Sequence, residues 1–202
     1  RLRVLRLALS SLVVGVAVRT AFLPFHTWLP EAHAFAPHPT SALLSGVLIK
    51  VSLLAMVRLI HTFDPQLFGQ LLLWIGAVTA AVGVVWALSQ RDAKMLLAYH
   101  SISQMGYVVA GIAVAGQAAG SATGILALSG SLYHAINHGL FKSLLFLAVG
   151  TAIHMTGERD LYRMPRLGRR APLLALVFAV GALSMHILSD DFLRHFPQRV
   201  VN

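Results

Sequence analysis

The segment LYHAINHGLFKSLLFLAVG, residues 132–150, holds His134, His138 and Lys142, each four residues after the last. Residues at i and i+4 stack on one face of an α-helix. A helix here would carry a stripe of two imidazoles and an amine. Imidazole titrates near neutral pH. Such a row, joined by water, could pass protons along the stripe. Like charges this close cannot all persist, so some members must be neutral. A further amine, Lys50, lies in SGVLIKVSLLAMV, well inside another apolar run. His100 lies near the start of a third run, and Arg19 near the end of the first. Arginine keeps its proton, so Arg19 could tune its neighbours or hold a carboxylate but is a poor relay. Taken singly, a buried histidine is a packing residue, and a lysine near a helix end can snorkel. Three on one stripe within an apolar span argue for function. Histidines at i and i+4 also suit zinc. No acidic or cysteine ligand accompanies them on that helix, so no metal site is expected.

The elements that must position these groups are apolar. Of 202 residues, 57% are hydrophobic and 11% charged, with a mean hydropathy of +0.74. A soluble domain carries about 25% charged residues, so the chain reads as an all-α integral membrane protein. It has no cysteine. That excludes a disulfide framework and any thiolate ligand or nucleophile. There is no Rossmann glycine fingerprint and no CxxC pair, so no cofactor is expected in this chain. The formal net charge is +9. Its lysines and arginines sit mostly in short loops between apolar runs, which argues against a nucleic-acid partner.

A membrane span needs about 20 mostly apolar residues. About six candidates stand at roughly 5–23, 41–60, 68–88, 96–115, 124–153 and 172–189. Together they give a transmembrane region over 1–189 and a divergent tail over 190–202. The fifth span is too long to cross upright, so Gly120–Ser121 and Gly130–Ser131 are candidate bend points. The segment PFHTWLPEAHAFAPHP, 24–39, is too Pro-rich to span and too apolar for an ordinary loop. It reads as a broken-helix element, tolerated where protein or water satisfies its backbone.

If each span crosses once, the first, third and fifth connections share one side. That side holds Arg91, Lys94, Arg159, Arg163, Arg166, Arg169 and Arg170. The positive-inside rule places it, with the Arg-rich loop over 157–170, in the cytoplasm. Arg1, Arg3 and Arg6 fall on the opposite side.

Four stretches carry a resemblance: PFHTWLPEAHAFAPHPTSALLSGVLIK, QRDAKMLLAYHSISQMGYV, LYHAINHGLFKSLLFLAVGTAIH and GERDLYRMPRLGRRAP. In this order they resemble the antiporter-like membrane subunits shared by three kinds of complex. These are respiratory complex I (NADH:quinone oxidoreductase), Mrp-type sodium/proton antiporters and membrane-bound nickel–iron hydrogenases of the hydrogenase-4 and formate hydrogenlyase type. The likeness runs from about Gly15 to about Leu183.

The resemblance implies a fourteen-helix fold with two inverted five-helix repeats, each with a broken helix, a general transporter design. This chain is then expected to be a fragment of that fold. Lys50 matches the central lysine after the break. His134, His138 and Lys142 match the stripe thought to carry protons. Arg19 stands where the family usually has lysine, which puts proton exchange there in doubt. The family's glutamate-bearing helix would precede Arg1. After Leu183 the wording departs, reading SMHILSDDFLRHFPQRVVN.

The implied function is a non-redox, proton-translocating subunit, or part of one, in a redox-driven complex of an inner (cytoplasmic) membrane. It would have no catalytic centre of its own. Its partners would be other membrane subunits, the lipid bilayer and protons, with Na+ as a further possible ion. The alternatives are an Mrp-type cation/proton antiporter subunit and a truncated remnant without function.

Overall fold

The computed structural model describes residues 2–60, 62, 65–164, 171–181 and 183. Arg166, Arg169, Arg170, the end of the expected sixth span and the 190–202 tail lie outside the described residues. The chain is all-helical: α1 Leu2–Thr20, α2 Trp28–Phe35, α3 His38–Leu43, a π-turn over Leu44–Leu48, α4 Ile49–Ile60, α5 Pro65–Leu88, α6 Ala93–Gln117 and α7 Ala122–Thr156. A short apolar helix, α8, follows at Pro172–Gly181.

Among the described residues, three helices are long and apolar enough to cross a membrane: His38–Ile60, Gln66–Leu88 and Ala122–Thr156. The first is α3, the π-turn and α4 in continuous succession. α6 is as long as α5 but more polar, and it packs between α5 and α7. Its buried face includes Ser101, Ile102, Ser103, Met105 and Val109. The outer face of α5 exposes Leu67, Leu71, Trp74, Val78 and Val85. In a membrane such a face needs no polar cover.

Two close approaches set the helix spacing. A Cβ on Gly76 of α5 would lie 2.7 Å from the Gly106 carbonyl oxygen of α6. A Cβ on Gly139 of α7 would lie 2.8 Å from the Gly46 carbonyl oxygen in the π-turn. Small residues at such crossings let backbones come close.

The first span is broken, as the proline-rich wording predicts, but α1 stops at Thr20, not at 23. Ala21 takes φ +58° and ends the helix, a conformation that alanine rarely adopts. The freed backbone finds partners within the protein. Leu23 N–H donates to Thr79 Oγ1 at 3.1 Å, near the middle of α5. Phe25 N–H donates to the Phe22 carbonyl at 2.7 Å. Trp28 Nε1 donates to the Val18 carbonyl at 2.8 Å, tying α2 back to α1.

α7 runs unbroken from Ala122 to Thr156. At 1.5 Å per residue it is about 52 Å long, against a hydrocarbon core of about 30 Å. The helix continues through Gly130–Ser131, where the Ser131 hydroxyl donates to its own Ala127 carbonyl. Gly120, at φ +80°, belongs instead to the turn before α7. Ser121 caps the start by accepting from Gly124 N–H. Gly157, at φ +70°, closes the end with its N–H on the Ile153 carbonyl, the left-handed stop that favours glycine.

The three connections expected on one side do meet at one end. Ala93 N–H donates to the Arg159 carbonyl, and Leu161 N–H to the Arg91 carbonyl. Arg159 pairs with Asp92 at 2.8 Å and donates to the Ala34 carbonyl at 2.9 Å. Lys94 Nζ donates to the Ala36 carbonyl at 2.6 Å. Two cations thus sit on carbonyls at the C-terminal end of α2, where the helix dipole is negative. Asp92 also caps α6, accepting from the N–H groups of Lys94 and Met95. This cap starts α6 at Ala93, three residues before the expected 96.

Candidate functional site

The close approach of Gly46 and Gly139 brings the π-turn against α7. Four residues after Gly46 comes Lys50, and next to Gly139 is His138. The two side chains meet, with Lys50 Nζ 2.7 Å from His138 Nδ1. The π-turn helps to place the lysine. Ile49 N–H bonds to the Leu44 carbonyl, five residues back, and Lys50 Nζ donates to the Ser45 carbonyl. Such π-turns occur often at functional sites.

The Lys50–His138 contact constrains protonation. An ammonium can donate to Nδ1 only if that nitrogen is bare. An Nδ1–H can donate to lysine only if the amine is neutral. Either way, two full positive charges do not fit the bond, and the tautomer of His138 decides which partner donates. His138 is fully buried. Its other nitrogen, Nε2, has no hydrogen-bond partner among the described residues.

Lys142 is also fully buried, with Nζ donating to the Leu97 carbonyl of α6 at 3.0 Å. His134 is half-buried, and its ring lies 6.3 Å from that of His138, with the ring planes 30° apart. The stripe expected on one face of the fifth span is therefore a line, His134–His138–Lys142, with Lys50 joining it from α4. His100, half-buried on α6, is within electrostatic reach of His138. Arg19 stands apart: its side chain is exposed on the last turn of α1.

Three further residues belong to this site. Ser45 and Ser101 are fully buried, and their hydroxyl oxygens lie 3.1 Å apart. Ser101 Oγ also donates to the Leu97 carbonyl at 3.0 Å, the same oxygen that receives Lys142. With that proton committed, Ser45 is the donor to Ser101. Ser45, Ser101 and Lys142 thus meet at the Leu97 carbonyl, while Lys50 bonds the backbone carbonyl of Ser45. The third residue is His33 on α2, fully buried and stacked 4.4 Å from Phe146. The sequence signals for these residues were weak. Serines in apolar helices usually bond their own backbone, and His33 sat among several histidines in a segment read for its prolines.

A polytopic helical membrane protein with a broken first span and a buried lysine–histidine line is the class that this fold and site define. The chain belongs to the NADH:quinone oxidoreductase/Mrp antiporter transmembrane family, whose sequence profile matches residues 3–188.

Its relatives span the branches named by the resemblance. It is 37% identical over 187 residues to formate hydrogenlyase subunit 3 of Escherichia coli (strain K12), covering 87% of this chain and 30% of that protein. It is 35% identical over 176 residues to a Na(+)/H(+) antiporter subunit of Alkalihalophilus pseudofirmus, covering 86% and 34%. The fold matches a chain of the Mrp complex from Dietzia sp. DQ12-45-1b with a TM-score of 0.76 and 25% identity, over 94% of this chain and 37% of that one. It also matches a chain of an archaeal membrane-bound sulfane sulfur reductase with a TM-score of 0.74 and 28% identity, over 83% and 34%. The chain spans about a third of the length of these relatives.

Proposed function

We propose that this chain is the proton-translocating part of a multisubunit membrane complex, moving protons along a Lys50, His138, Lys142 and His134 relay. The carrying observation is the 2.7 Å contact between Lys50 Nζ and His138 Nδ1. It joins two helices far apart in sequence through one contact between titratable groups. When Nδ1 takes a proton from Lys50 and Nε2 releases the one it carries, Lys50 is left neutral and can be reloaded. The charge change biases the next site, because neighbouring ionisable groups titrate as a coupled set. His100 tunes this set from α6, and Arg19 acts at most at its edge.

The complex is of the redox-driven kind, such as NADH:quinone oxidoreductase or a membrane-bound hydrogenase. Electron chemistry then belongs to partner subunits. The likeness to formate hydrogenlyase subunit 3 supports this branch. A second reading, an Mrp-type cation/proton antiporter subunit, is favoured by the fold match to the Mrp complex. In either case the membrane is the inner (cytoplasmic) one, with the Arg91 and Arg159 end facing the cytoplasm.

The test is proton movement in inverted membrane vesicles, followed with a ΔpH-sensitive dye. Acidification on adding an electron donor, with redox subunits co-purifying, supports the first branch. A pH change on adding NaCl alone, with Mrp subunits co-purifying, supports the second. Proton movement that depends on neither, and no co-purifying subunits, would refute both.

A further inference from the structure

The relay as drawn has one end at His134. At its other end lies a group that the relay does not use. His33 is fully buried, and neither ring nitrogen has a hydrogen-bond partner among the described residues. Burying an imidazole without partners is costly. If the ring served only to stack on Phe146, phenylalanine would fill the place without that cost. Phe146 is one helical turn beyond Lys142, on the side away from His138. His33 thus continues the line towards the end where the connections meet.

The surroundings hold the backbone of His33 and its neighbours in place. Ser41 Oγ donates to the His33 carbonyl at 3.3 Å. The next carbonyls, of Ala34 and Ala36, are held by Arg159 and Lys94. Three lysines lie within electrostatic reach of the ring: Lys142 from α7, Lys94 from α6 and Lys50 from α4. The acids nearby do not offset them, because Glu31 is exposed and Asp92 is engaged with Arg159.

We propose that His33 is a proton-transfer residue, the station through which Lys142 exchanges protons with the Arg159 end of the bundle. This rests on the relay reading above. The step is balanced within the chain and water. Lys142 loses one N–H proton to water, and a water proton forms an N–H bond at one His33 ring nitrogen. The imidazolium then releases the proton on its other nitrogen to water at the Arg159 end of the bundle. The same steps run in reverse for uptake. A water bridge between such groups is nearly as good as a direct hydrogen bond.

The test uses the assembled complex in native membranes, with proton movement expressed per assembled complex. His33→Phe keeps the ring stack and removes the proton site. His33→Gln keeps polarity and removes it too. Lys50→Ala serves as the control for the relay itself. The proposal expects at least a tenfold loss in both His33 variants, at near-normal assembly. Full transport in His33→Phe would make the ring a packing group and overturn the proposal. A loss of transport that only mirrors a loss of assembly, in both variants, would overturn it equally. If Lys50→Ala keeps full transport, the relay reading fails first. If Lys50→Ala is dead and the His33 variants are normal, the relay stands and His33 has no part in it.

Discussion

Replacing Gly139 by alanine tests whether helix spacing sets the proton site. The new Cβ would stand 2.8 Å from the Gly46 carbonyl oxygen, where ordinary contact begins near 3.4 Å. Relief by parting the helices needs a movement of about 0.6 Å. The Lys50–His138 contact, now 2.7 Å, would open to about 3.3 Å, past the normal hydrogen-bond range. Overpacking of this kind costs about 1–3 kcal/mol in stability. Misplacement of reacting groups by about 1 Å can cost a hundredfold in rate. Gly139→Ala should therefore slow proton movement per assembled complex by roughly tenfold to a hundredfold. Gly76→Ala is the matched control, since its Cβ would lie 2.7 Å from the Gly106 carbonyl oxygen. It should lower thermal stability similarly and leave transport per complex near normal. The assay is dye-followed acidification of inverted vesicles, normalised to complex on native gels. Equal transport in the two variants would refute the link between the Gly46–Gly139 approach and the site.

Two other outcomes follow from the same geometry. Thr79→Val leaves the Leu23 N–H without its partner and should cost about 1–3 kcal/mol, read as a lower melting temperature of the purified complex. Asp92→Asn should keep the α6 cap and lose the pair with Arg159, whose side chain is 41% exposed. Its cost should be about 0.5 kcal/mol and should vanish at high salt. Asp92→Ala should cost about 1 kcal/mol more through the lost cap, a difference that thermal melting at high salt can read.

Much of the fold was legible because membrane helices announce themselves as apolar runs. The broken first span was legible too, since proline-rich wording is incompatible with a plain helix. Its end was misplaced because Ala21 adopts a positive φ that alanine does not signal. The start of α6 lies before its apolar run because the Asp92 cap, not the run, begins the helix. His134, His138 and Lys142 were legible as a stripe because i, i+4 spacing is a local property. Their meeting with Lys50 was not. It depends on a π-turn and on a glycine pair 93 residues apart, from Gly46 to Gly139, and no local pattern encodes that. The Ser45–Ser101 link and the place of His33 are likewise products of packing between helices. Arg19, placed by the sequence near the end of the first run, lies exposed on the last turn of α1.

The most direct test of the central claim is proton movement in the assembled complex carrying Lys50→Ala or His138→Ala, alone and together. If proton transfer runs through their contact, each single variant should lose at least tenfold. The double variant should then lose little more, because residues that act as a unit are not additive. Transport at the normal rate in either single variant, with assembly intact, would contradict the account.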